Sequence, residues 1–232
     1  MSTKSEQLLL DLPHREALGR EDFLVTSSNA AAVELVDQWP NWPSYAAIIV
    51  GPESCGKSHL VEVWRQRSAA LKIQTADLIT SHVPKLLEGQ TAAIEDLHEG
   101  AIDERAIFHA LNLAKQEAKF ILFTSRQPPN HLRFQIPDLS SRLNSLPVVQ
   151  IEAPDDALLR GVLVKLFADR QLTADEALIN YTLLRMPRSL AIARKLVAEI
   201  DLLALTEKAE VSRALVGRVL TKLENVDLFT TL

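Results

Sequence analysis

Up to about residue 151, short apolar runs alternate with segments whose apolar residues recur every three or four positions. The runs at 44–51 ("SYAAIIVG"), 91–96, 120–124 and 147–151 predict strands, the first of them continuously apolar as a buried parallel strand is. Between them, Ala32, Val33, Leu35 and Val36 mark a short helix with Asn29 as its N-cap, ending at the Pro-rich loop 39–43. Leu60, Val63, Trp64 and Arg67 mark a second helix, and Ile107, Leu111 and Ala114 a third. Strands interleaved with helices imply a parallel sheet flanked by helices.

The rhythm changes near "EAPDDALLRG", and from Asp155 onward only helical spacing remains. One helix runs to about Ala168. A second begins at "TADEALINYTLL", with Thr173 and Glu176 as a capping box; a third begins near Pro187, and the fourth is "VSRALVGRVLTKL". The expected organisation is therefore an N-terminal arm (1–19), an α/β domain (20–153) and a small all-helical domain (154–232).

Composition narrows the function. The chain has 232 residues, with formal net charge −5, and its sequence pI is about 5.7. A protein that holds DNA by neutralising phosphates carries a basic surplus, so direct sequence-specific DNA binding is not expected. A single cysteine, Cys55, excludes an intrachain disulfide and fits a cytoplasmic compartment. The apolar run Leu8–Leu10 is too short for a secretory signal, no stretch is long enough to span a membrane, and neither role is expected.

The strongest motif is "GPESCGKS", Gly51–Ser58, which fits G-x-x-x-x-G-K-[ST] between a predicted strand and a predicted helix. Gly51, Pro52, Glu53, Ser54, Cys55, Gly56, Lys57, Ser58 and His59 are the candidate nucleotide-binding residues. Backbone N–H groups and the helix N-terminus converge on phosphates, Lys57 supplies charge to the β/γ-phosphates, and Ser58 is a Mg²⁺ ligand. Cys55 reads as a small residue at a variable position, with a redox handle as the alternative. In "AAIEDLHEG", Glu95 is the candidate metal ligand and Asp96 the acid that orients an attacking water. Thr124 and Ser125 are either γ-phosphate neighbours or a plain strand end. Trp39 and Trp42 are read as core cover.

With these pieces in order, residues 20–225 resemble the DnaA replication-initiator family of AAA+ ATPases. "DFLVTSSNAAA" resembles the family's segment before the P-loop, implying that Phe23, Leu24 and Val25 lie near the adenine. "ILFTSRQPP" resembles its sensor I strand. "DLSSRL" resembles box VII, implying that Arg142 is an arginine finger, and "MPRSLAIARKL" resembles sensor II, implying that Arg188 senses the γ-phosphate. Two departures weaken the expectation of self-contained hydrolysis: Glu95 replaces the usual metal-binding Asp, and Arg126 follows "TS" where initiators have Asp.

The third departure is that the sequence leaves no room after the helical lid domain (154–232) for the initiators' helix-turn-helix domain. It therefore resembles the regulatory-inactivator, Hda-like branch. In that branch "QLLLDLP" matches the N-terminal peptide that docks on the sliding clamp, through Gln7, Leu8, Leu10 and Leu12. Packing of these leucines on the protein's own core is the alternative. The resemblance implies a regulator that binds ADP or ATP with Mg²⁺ and, with DNA-loaded clamp, stimulates hydrolysis of DnaA-bound ATP. By itself it would be a weak ATPase at most. A helicase-loader-type AAA+ ATPase and a small-molecule P-loop kinase are the alternatives, and homodimerisation stays open.

Overall fold

The computed structural model describes residues 24–98 and 100–230. The candidate clamp-binding residues Gln7, Leu8, Leu10 and Leu12, and Phe23 of the adenine segment, lie outside the described residues.

Five strands, β1 (Ala46–Val50), β2 (Leu71–Gln74), β3 (Thr91–Leu97), β4 (Phe120–Ser125) and β5 (Val148–Gln150), form one sheet in the order β2-β3-β4-β1-β5. Every pairing is parallel, with Ala46 opposite Ile121 and Ile48 opposite Val148. The expected α/β class with a flanked parallel sheet is what forms. Strand β1 shows why its sequence is apolar throughout. Successive side chains point to opposite faces, so Ala46, Ile48 and Val50 join one core while Ala47 and Ile49 join the other.

The first core packs under α3 (Val83–Leu86), α4 (Glu104–Gln116) and α5 (Pro137–Asn144). Ile107, Leu111 and Ala114 of α4 face it, as their spacing required. The second core lies under α1 (Ala30–Gln38) and α2 (Lys57–Ser68). Trp42 stacks on Trp64 with ring centroids 5.4 Å apart, and Trp39 meets Trp64 edge-on at 6.1 Å. These tryptophans cover core, in agreement with the sequence.

Helices α6 (Asp156–Asp169), α7 (Glu176–Leu183), α8 (Leu190–Glu207) and α9 (Arg213–Thr230) enclose a third core built around Leu163, Phe167, Leu196 and Val216. Among the described residues no helix is long and apolar enough to cross a membrane.

Four local expectations need correction. Strand β2 was not foreseen: it is a four-residue edge strand of mixed polarity, mostly exposed, and leaves no buried stripe to read. Asn29 precedes α1, but its side chain turns away from the helix. It accepts from Thr26 N at 2.9 Å and donates to Leu24 O at 2.9 Å, so it folds the preceding loop instead. The cap of α7 is Asp175, accepting from Leu178 N at 2.7 Å, and not Thr173. Helix α8 begins after Ser189, which accepts from Ile192 N, so Pro187 stands before the helix and not in its first turn. At α7 and α8 a closer side-chain oxygen captured a free N–H group of the helix end.

Asp175→Ala is expected to cost about 1 kcal/mol in urea unfolding, the usual worth of such a cap, whereas Thr173→Ala should cost less than about 0.5 kcal/mol. Equal losses would put the cap back at Thr173.

Candidate functional site

Parallel strands deliver their C-terminal ends to one edge of the sheet, and open α/β sheets hold ligands at that edge. Here the loop Gly51–Gly56 leaves β1 and turns into α2. Gly51 allows close packing: a Cβ on it would lie 2.4 Å from Ile151 O and 2.8 Å from Cys55 Sγ. Gly56 precedes α2 with φ +110°, a conformation that only glycine adopts freely. Ser54 is also left-handed, at φ +59°. The result aims the N-terminus of α2, with its leading N–H groups and positive dipole end, into a cavity.

That cavity is lined by Ser54, Gly56, Lys57, Ser58 and His59 of the loop and α2, by Glu95, Asp96, Thr124 and Arg126 of the strand tips, and by Leu190, Ala191 and Arg194 of α8. Glu53 and Gln74 complete the wall. The motif residues and the acidic pair, 37 positions and more apart in sequence, are therefore brought together. Helix α8 closes the side, anchored by Leu190 N donating to Ser54 O at 3.3 Å.

Each charged group has a definite partner. Lys57 Nζ donates to Gly51 O and Pro52 O at 2.6 Å each, folded back on its own loop. Buried Glu95 accepts from Lys72 Nζ at 3.3 Å and Gln74 Nε2 at 3.4 Å through Oε2, while its buried Oε1 has no partner. A buried carboxylate oxygen without a donor is costly, and at the wall of a polar cavity it is suited to a cation. Asp96 sits at a β-bulge with φ +57°, held by donation of its backbone N–H to Thr124 Oγ1 at 3.0 Å.

Other expected residues take different positions. Cys55 is buried behind the loop, and that burial pushes its thiol up, with Lys57 pulling the other way more weakly. An inert loop-packing residue is the reading this favours. Of the two strand-end hydroxyls, Thr124 lines the cavity while Ser125 is buried and bonded to Leu97 O at 2.9 Å. Leu24 packs against α6, within 2.8 Å of where a Cβ on Gly161 would lie, and not on the cavity wall. Arg188 is exposed and paired to Asp156 at 2.9 Å, outside the cavity lining. Arg142, in the last turn of α5, places its guanidinium 4.8 Å above the Phe108 ring, also outside that lining.

Five lining residues escaped the sequence reading of the site: Leu190 and Ala191, which are apolar, and three polar ones. Arg194 reaches the cavity from the second turn of α8 and donates to His59 Nδ1 at 3.1 Å. Gln74 arrives on the unforeseen strand β2. Arg126, noted only as a departure from a motif, bridges Asp96 and Glu53 at 3.3 and 3.1 Å.

A P-loop at the edge of a 2-3-4-1-5 parallel sheet, closed by a C-terminal helical bundle, defines the AAA+ class of nucleotide-binding folds. Comparison with solved structures finds this fold in DnaA domain III and in RuvB. The chain superposes on domain III of the Thermotoga maritima replication initiation protein DnaA with TM-score 0.75 at 19% identity, covering 91% of this chain and 98% of that one. AMPPCP-bound DnaA from Aquifex aeolicus gives 0.63 at 21% identity over 78% of this chain and 64% of that one. The Thermotoga maritima RuvB Holliday junction branch migration motor gives 0.69 at 14% over 88% and 71%. In sequence, the chain is 28% identical over 158 residues to chromosomal replication initiator protein DnaA 1 of Chlamydia trachomatis, 55% of this chain. It spans 34% of the length of that curated relative. No family model matches.

Lys72 balances the buried Glu95 charge. Lys72→Met should destabilise the protein by about 1–3 kcal/mol, less than a fully buried pair because Lys72 is partly solvated. Adding Glu95→Gln should recover most of that loss, since a neutral amide needs no counter-charge. A loss that persists in the double variant would show that Lys72 acts through packing alone.

Proposed function

We propose that the protein binds an adenine nucleotide with Mg²⁺ in this cavity and regulates replication initiation by stimulating hydrolysis of DnaA-bound ATP together with DNA-loaded sliding clamp. The observation that carries this reading is the likeness to DnaA domain III across almost that whole domain, with a P-loop cavity at the sheet edge. Solved DnaA structures that contain AMPPCP support the choice of an adenine nucleotide.

On this reading the N-terminus of α2 holds the phosphates, and Lys57 turns from the Gly51 and Pro52 carbonyls toward them. Ser58 and Glu95 are the residues that would hold Mg²⁺, and the partnerless Glu95 Oε1 fits that task. The ion would neutralise charge on the phosphoryl oxygens. Arg194 supplies a cation from α8, and Arg188 joins only when its pair with Asp156 opens. The nucleotide is then gripped between residues 20–153 and the helical lid 154–232.

Arg142 lies away from its own chain's cavity, which suits an arginine offered to another chain's nucleotide. Supplied to ATP held by DnaA, such a group is worth about 10³–10⁵ in rate. The arm 1–19, through Gln7, Leu8, Leu10 and Leu12, tethers the complex to the clamp and raises effective concentration. Trans activation, with weak hydrolysis of its own at most, is the proposed activity.

The test follows loss of radiolabelled ATP from DnaA. Acceleration is expected only with this protein and DNA-loaded clamp together. Arg142→Ala should reduce it by at least about 100-fold while leaving nucleotide affinity of the same chain unchanged. Full stimulation by Arg142→Ala would refute the finger.

A further inference from the structure

One arginine at the cavity mouth ties together two carboxylates from separate segments. Arg126, directly after β4, donates from Nε to Asp96 Oδ1 at 3.3 Å and from Nη1 to Glu53 Oε2 at 3.1 Å. All three side chains line the cavity. They are also well exposed, 57% for Arg126, 43% for Asp96 and 72% for Glu53, so the bridge adds little to stability. A residue placed there for fold stability alone would be poorly placed.

Asp96 itself is held under strain. Its φ of +57° is one that a non-glycine residue adopts only when its surroundings impose it, here through the β3 bulge and the bond to Thr124 Oγ1. That geometry presents the carboxylate to the cavity, where Arg126 meets it. The other nearby acid, Glu95, is buried and engaged with Lys72. Asp96 is therefore the exposed carboxylate on this strand tip, and Arg126 occupies one of its oxygens.

We infer that Arg126 is a positioning residue that latches Asp96 and makes the cavity retain a nucleoside triphosphate instead of hydrolysing it. The inference rests on the nucleotide-binding reading above. Hydrolysis requires a water oxygen to attack the γ-phosphorus while the bond from that phosphorus to the β,γ-bridging oxygen breaks. The electron pair of that bond leaves with the diphosphate. The water's proton passes to a carboxylate and then to solvent. With Oδ1 bound to a guanidinium that does not give up its proton, Asp96 is turned from the water it would orient. Two of the five guanidinium N–H donors serve the carboxylates, so Arg126 has donors enough to contact a terminal phosphate without releasing Asp96. The same residue thus strengthens retention and slows turnover. Glu53 secures the guanidinium from the other side, linking the P-loop to the strand tip.

The test is single-turnover hydrolysis of [γ-³²P]ATP with Mg²⁺, alongside equilibrium binding of ATP, in the full chain without partners. Arg126→Gln should bind ATP more weakly yet hydrolyse the bound fraction about 10- to 100-fold faster, within the range of a freed general base. Arg126→Lys, which keeps a point charge but loses the fork, should fall between. The gain should vanish in Arg126→Gln/Asp96→Asn, a dependence that a merely structural role would not produce. ATP binding with no rate gain in Arg126→Gln, or a gain that survives in the double variant, overturns the latch and leaves the nucleotide reading intact. Absence of ATP binding by the unsubstituted chain overturns the nucleotide reading and the latch with it.

Discussion

The site depends on how closely the P-loop backbone packs behind the sheet. Gly51 leaves β1 so near Ile151 O and Cys55 Sγ that no side chain fits there. That contact fixes where the loop turns, and Gly56 then fixes where α2 begins. The helix N-terminus points into the cavity because those two glycines leave the chain no other course. Strand β5, short and at the sheet edge, leads directly into Ile151, the residue against which Gly51 packs.

From this loop the site extends in two directions. Toward the strand tips, Arg126 joins Glu53 to Asp96, and Thr124 holds the Asp96 backbone. Toward the helical bundle, Ser54 O accepts from Leu190 N and Arg194 donates to His59. Two further bonds stitch the segment before α1 to the beginning of the bundle, Glu152 N to Ser28 O at 2.9 Å and Ser27 Oγ to Asp155 Oδ2 at 3.4 Å. The cavity at the helix N-terminus is thus walled by groups from both sides, so its shape depends on their relative position.

Much of this was legible in the sequence because it is encoded locally. The apolar run of β1, the Gly-Lys-Ser loop and the three-to-four spacing of Ile107, Leu111 and Ala114 each determine their structure within a few residues. Glu95 and Asp96 could be placed because a strand carries them to the same edge as the loop. What stayed hidden is set by distant parts of the chain. Strand β2 has no periodic signal, since its edge position leaves Leu71 and Lys72 exposed, and its place comes from pairing with β3. Arg194 lies in a helix whose sequence reads as ordinary amphipathic packing, and only the docking of α8 on the P-loop turns it inward. Arg188 matched a motif by sequence, yet a surface carboxylate, Asp156, holds it elsewhere.

On the nucleotide-binding reading, one nucleotide is held jointly by the P-loop and by α8. Amide hydrogen exchange with increasing MgADP or MgATP tests it directly. Amides of residues 51–58 and of residues 190–194 are expected to gain protection together, with the same dependence on nucleotide concentration. Protection of the loop while α8 exchanges unchanged would contradict it, and would leave a P-loop whose ligand the helical bundle does not sense.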